Sequence, residues 1–121
     1  MTAGLYVGLL LFSGIGSVLR FLVDRAVARR TARSFPIGTL TVNLSGAVML
    51  GLVTSLGLSE KAAMLAGPVF VGAYTTFSTW MLETERLGEE RQFWPAAVNI
   101  VASTVLGMCA VLLGQWVGTL W

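Results

Sequence analysis

The sequence predicts an all-α integral membrane protein of four transmembrane helices, the third of them broken. Three observations predict it. The 121 residues are 55% hydrophobic and only 12% charged, and their mean hydropathy is +0.79. That is more apolar surface than a water-soluble domain of 12.9 kDa can hide. A spanning helix takes roughly 20 mostly apolar residues, and the chain divides into four such runs, at about residues 5–23, 37–58, 62–82 and 94–120. The charges fall mainly between the runs. This length and this one cysteine, Cys109, exclude two soluble domains, a disordered chain and a disulfide scaffold. Residues 1–121 form one transmembrane domain.

Each run should be a helix, because backbone groups in hydrocarbon must be satisfied within their own segment. The first run has no basic flank before it and is long enough to span, so a cleaved signal peptide is not expected. It carries one internal charge, Arg20. Asp24, Arg25, Arg29, Arg30 and Arg33 follow it, Glu60 and Lys61 separate the second run from the third, and residues 83–91 hold Glu83, Glu85, Arg86, Glu89, Glu90 and Arg91. Trp80, Trp94, Trp116 and Trp121 lie near run ends, as interfacial aromatic belts do. Basic loop residues set orientation. Arg25, Arg29, Arg30, Arg33, Arg86 and Arg91 stand against Lys61 alone, which places loops one and three in the cytoplasm and both termini outside. The arginine cluster reads as this topology signal rather than as a lipid head-group site, and a net charge of +2 gives no support for nucleic-acid binding.

The residue inventory also excludes chemistry. There is no histidine, Cys109 stands among apolar neighbours, and no acid or base lies within the spans to activate a hydroxyl. An enzyme is not expected. A proton-coupled exporter of the small multidrug type needs a carboxylate in the membrane, and none lies well inside a run.

What the spans hold instead is uncharged hydrogen-bonding groups. Asn43 falls about two turns into the second run. Residues 72–80 read Gly72-Ala73-Tyr74-Thr75-Thr76-Phe77-Ser78-Thr79-Trp80, with five hydroxyl-bearing residues in six positions. Asn99, Ser103 and Gly107 share one face of the fourth run. Such donors can replace water around a small anion without a fixed charge that would trap it. The bland alternative is that Ser, Thr, Asn and Gly glue helices together, and it is preferred for Ser13, Thr39, Ser45 and Thr54, and for Gly14, Gly16, Gly46, Gly51, Gly114 and Gly118 as close-packing positions. It does not account for the dense stretch at 72–80, where β-branched threonines after Gly72 disfavour a regular helix. A break there is tolerated only if buried in protein or lining a cavity.

Three motifs are familiar in this order and spacing. Ser13-Gly14-Ile15-Gly16-Ser17-Val18-Leu19-Arg20, Pro36-Ile37-Gly38-Thr39-Leu40-Thr41-Val42-Asn43-Leu44-Ser45-Gly46 and the stretch at 72–80 resemble the Fluc (CrcB) fluoride channel family over essentially the whole chain. The resemblance implies an antiparallel dimer of four-helix subunits in the cell membrane, with two pores along the subunit interface and passive export that keeps cytoplasmic fluoride low. It implies a structural sodium ion at the dimer centre, held by the backbone carbonyls of Gly72 and Thr75. Asn43, Thr76, Phe77 and Ser103 match the family's fluoride pathway, and Arg20 matches its vestibule arginine. Physical chemistry supports these roles: a ring edge is electropositive without being charged, and a cation nearby lowers the barrier to an anion. An i,i+4 ion pair between Arg20 and Asp24 is the simpler alternative for Arg20.

Two positions depart from the family pattern. Trp80 replaces a second phenylalanine, adding bulk and an N–H donor, and Asn99 replaces a tyrosine common in the family. Both are assigned to the pathway, Asn99 among the donors of its far half. The charge bias adds an expectation of its own. A chain that inserts mainly one way needs an antiparallel partner of opposite bias, so a paralogous subunit is expected, with an identical chain as the alternative. The competing readings of function are a purely structural four-helix membrane protein and a small exporter.

Overall fold

The computed structural model describes residues 2–31 and 35–121, and Arg33 of the basic cluster lies outside the described residues. Among these the chain is entirely helical apart from its connections. Helix α1 covers Ala3–Arg30 and α2 covers Ile37–Ser55. The third span begins with α3, Glu60–Met64, widens into a π-helical segment over Leu65–Val71 and continues as α4, Gly72–Tyr74. After a break it resumes as α5, Ser78–Glu89, and α6 covers Phe93–Gly118. Helices α1, α2 and α6 are long and apolar enough to cross a membrane, as an all-α membrane protein requires.

Local chemistry explains the ends. The Thr2 hydroxyl accepts the Leu5 amide at 3.3 Å, and Arg29 and Arg30 close α1 where its dipole is negative. Its 28 residues reach roughly 42 Å, past the hydrocarbon and into the basic loop. Pro68 explains the π-helical turn: it lacks an amide and its ring crowds the preceding turn, which a wider helix relieves. Leaving α5, the Arg91 amide reaches Gly88 O at 3.1 Å and the Gln92 amide reaches Leu87 O at 2.8 Å. This closure puts Arg91 at φ 59°, a position that usually favours glycine.

Helix α2 is the central post. Its most extensive contact is with α6, and it also meets α1, the π-helical segment and α5. The α2–α6 seam is backbone against backbone. A Cβ on Gly51 would strike the Val111 carbonyl, and one on Gly114 would strike the Val48 carbonyl. Gly14 differs from the packing expectation, because a Cβ there would meet nothing within 4 Å. The interior is thin: Val42 and Leu87 are fully buried, with Val71, Tyr74 and Ala110 nearly so. Leu10 (74% exposed), Met108 (66%) and Leu112 (63%) face outward, an apolar exterior suited to acyl chains rather than water.

Candidate functional site

The break in the third span is built from threonines and held by asparagine. Thr75 leaves the helix with φ −82° and ψ 165°. Its amide and its hydroxyl both donate to Val71 O, each at 2.9 Å, closing the first half. Thr76 then turns to α2. Its amide donates to Asn43 Oδ1 at 2.9 Å, and Asn43 Nδ2 donates to Thr76 O at 3.0 Å. The Thr76 hydroxyl accepts the Thr79 amide at 3.2 Å, starting α5. Two neighbours complete the junction. Ser45 Oγ and the Tyr74 hydroxyl are 2.9 Å apart, and Gly46 has no side chain because a Cβ would run into the Thr75 methyl.

This pattern frees particular carbonyls. In an uninterrupted helix the Thr76 amide would bond Gly72 O and the Thr79 amide would bond Thr75 O. Here both amides are given to side chains, Asn43 Oδ1 and Thr76 Oγ1. Gly72 and Thr75 are thereby left with uncharged oxygens at the break, the donor type that a hard cation such as sodium takes.

Phe77 stands at the end of the break, 70% exposed. It borders an open apolar groove of about 290 Å³ with Asn43, Leu50 and Thr75. The Trp80 ring meets it edge to face, centroids 5.6 Å apart at 77°. The indole donor that Trp80 adds is engaged: Trp80 Nε1 donates to Asn99 O at 3.2 Å. Asn99 is 1% exposed, and its Nδ2 donates to Thr84 Oγ1 at 2.8 Å. One turn further along α6, Ser103 Oγ is buried without a hydrogen-bond partner.

A second cavity of about 290 Å³ opens between α1, α2 and the start of α5, lined by Arg20, Asp24, Thr39, Thr76, Ser78 and Thr79. Arg20 and Asp24 share it without a salt bridge between them; among the described residues the salt bridge is Arg86–Glu90, at 3.9 Å. Thr39, 2% exposed, presents a hydroxyl with no partner. Sequence reading assigned Thr39 to packing and placed Glu83 among the charges that follow the third run. Yet Glu83 Oε1 is also buried and unpartnered. Glu83 lies just past the apolar run, beside Asp24 and Arg86 in an adjoining cavity of about 170 Å³. The Thr39 hydroxyl is a close neighbour of this carboxyl. The adjoining cavity also holds Ala28 and Thr31, so the ends of α1 and α5, and the basic residues beside them, share one side. The signal for Thr39 was its place one turn before Asn43 on α2.

A helical membrane protein with a stapled break, uncharged donors beside it and a basic residue at its mouth belongs to the class of multi-pass proteins that carry a polar path through lipid. Comparison with known families narrows the class. The profile described as CrcB-like protein, Camphor Resistance (CrcB), matches residues 7–115, and the chain belongs to that family. It is 64% identical over 117 residues to fluoride-specific ion channel FluC 2 of Mycobacterium tuberculosis (strain ATCC 25618 / H37Rv), covering 97% of this chain and 93% of that one. Fluoride-specific ion channel FluC 1 of Geobacillus kaustophilus (strain HTA426) is 41% identical over 103 residues, covering 85% and 88%. FluC 2 of Clostridium acetobutylicum is 34% identical over 105 residues, covering 87% and 90%.

Proposed function

We infer that this protein is a passive fluoride channel of the plasma membrane that lets cytoplasmic fluoride leave the cell. The observation that carries the reading is the Asn43–Thr76 exchange. It fixes an uncharged amide beside Phe77 with only one of its two N–H groups spent. The relatives' names point to the ion. The buried Ser103 hydroxyl, without a partner, is a further donor. Arg20 draws anions to the mouth, and the Phe77 edge meets the ion without binding it tightly. Weak sites in series favour passage over capture. Such a protein is a channel and performs no catalysis.

The working unit in this reading is an antiparallel dimer whose interface brings two Asn43–Phe77 faces together. The oxygens of Gly72 and Thr75 from both subunits hold a sodium ion there, which supplies positive potential near the anion. Basic residues concentrated at one end make this chain insert one way, with both termini outside, so its mate is a related subunit of opposite bias.

Purified protein in liposomes should release fluoride and retain chloride, alone or with that mate. Release of neither anion by correctly assembled material would contradict the channel reading. Tags on both loop sides should report one orientation in cells. Equal populations of two orientations would favour a homodimer instead.

A further inference from the structure

The junction of α5 and α6 holds a closed polar circuit that the pathway residues above do not explain. Trp80 Nε1 donates to the Asn99 carbonyl at 3.2 Å. The Asn99 side chain donates to Thr84 Oγ1, and Thr84 Oγ1 donates onward to Trp80 O, both at 2.8 Å. The circuit starts and ends on Trp80, and its middle member is buried at 1% exposure. Thr84 acts in both directions, as a hydroxyl with one proton and spare lone pairs can. The Thr84–Trp80 bond is the usual back-bond of a helical threonine, but the other two bonds join different helices, α5 and α6.

Electrostatics supplies the reason. An indole N–H turned toward a partly dehydrated fluoride would form a charge-assisted hydrogen bond, about twice as strong as a neutral one. An ion held so firmly leaves slowly, and conduction needs sites weak enough to release. Turned instead onto a carbonyl, the indole offers the anion only carbon-bound hydrogens, as the neighbouring Phe77 does. The two departures from the family pattern meet here: Trp80 brings a donor that the residue 99 backbone carbonyl accepts, and the Asn99 side chain ties that stretch of α6 to Thr84.

We propose that Asn99 and Thr84 are positioning residues that hold the Trp80 indole with its N–H committed to Asn99 O, so that Trp80 presents the permeating anion with a carbon-bound ring edge and no donor. This rests on the channel reading for its purpose but not for its geometry, and the two are tested apart.

The probe of geometry is the indole N–H resonance of Trp80 in the assembled protein, assigned by its loss in W80F. In the native protein it should exchange slowly with solvent and stay unmoved as sodium fluoride is titrated. T84V removes both hydrogen bonds of the Thr84 hydroxyl and leaves Asn99 Nδ2 without its acceptor, so it should speed exchange at least about tenfold, and T84S should restore it. The probe of purpose is fluoride efflux from liposomes. T84V should slow efflux severalfold at unchanged dimer content, and T84S should recover it, whereas a purely structural Thr84 would change the amount of assembled protein and not the rate per channel. A fluoride-dependent shift of the native Trp80 N–H, or T84V exchange equal to native, would overturn the proposal. Native protein that passes no fluoride but shows the expected exchange pattern would remove the channel reading and leave the committed indole standing.

Discussion

Asn43 and Thr76, on neighbouring spans, exchange two hydrogen bonds, amide to side-chain carbonyl at 2.9 Å and side-chain amide to carbonyl at 3.0 Å. One side chain thus supplies the partners that a helix would otherwise give Thr76, and the break needs no water to persist in the bilayer. N43A should strand both Thr76 groups, at about 1–3 kcal/mol each, and cut fluoride efflux at least about tenfold. N43D keeps the acceptor for the Thr76 amide but, once ionised, has no donor for the carbonyl and repels the anion. It should melt above N43A yet conduct no better. Melting and efflux on the same preparations check both.

The Thr76 hydroxyl has a separate role, since it takes the Thr79 amide that would otherwise return to Thr75 O. T76V should let that amide close onto Thr75 O and withdraw one oxygen from the proposed sodium site. If that site is formed, the sodium concentration that half-protects the protein against heating should rise about tenfold, roughly 1.4 kcal/mol, while T76S stays near native. Melting curves across a sodium series, with a bulky organic cation as replacement, decide it.

The α2–α6 seam predicts an asymmetry between glycines. G114A drives a methyl into the Val48 carbonyl and should cost about 1–3 kcal/mol as overpacking does. G14A adds the same methyl where nothing lies within 4 Å and should stay within about 0.5 kcal/mol of native. Unfolding in detergent measures the difference.

Much of this was legible in the sequence, for identifiable reasons. Apolar runs bounded by charge mark helices because lipid permits little else, so α1, α2 and α6 could be read directly. The break was legible because three threonines follow Gly72 closely. The π-helical turn at 65–71 was signalled only by Pro68, which is equally compatible with a kink. Thr39 and Glu83 escaped because what sets them apart is the burial of their polar atoms beside one another, a property of three-dimensional surroundings. Trp80 and Asn99 looked like two separate substitutions, 19 residues apart, until the hydrogen bond between them was seen.

The staple between Asn43 and Thr76 also bears on how the chain is made. Synthesis runs from the N-terminus, so α2 reaches the bilayer before residues 72–79 emerge. The stretch least able to satisfy its own backbone therefore arrives where its acceptor and donor already wait, and biogenesis of the third span depends on a template laid down one helix earlier.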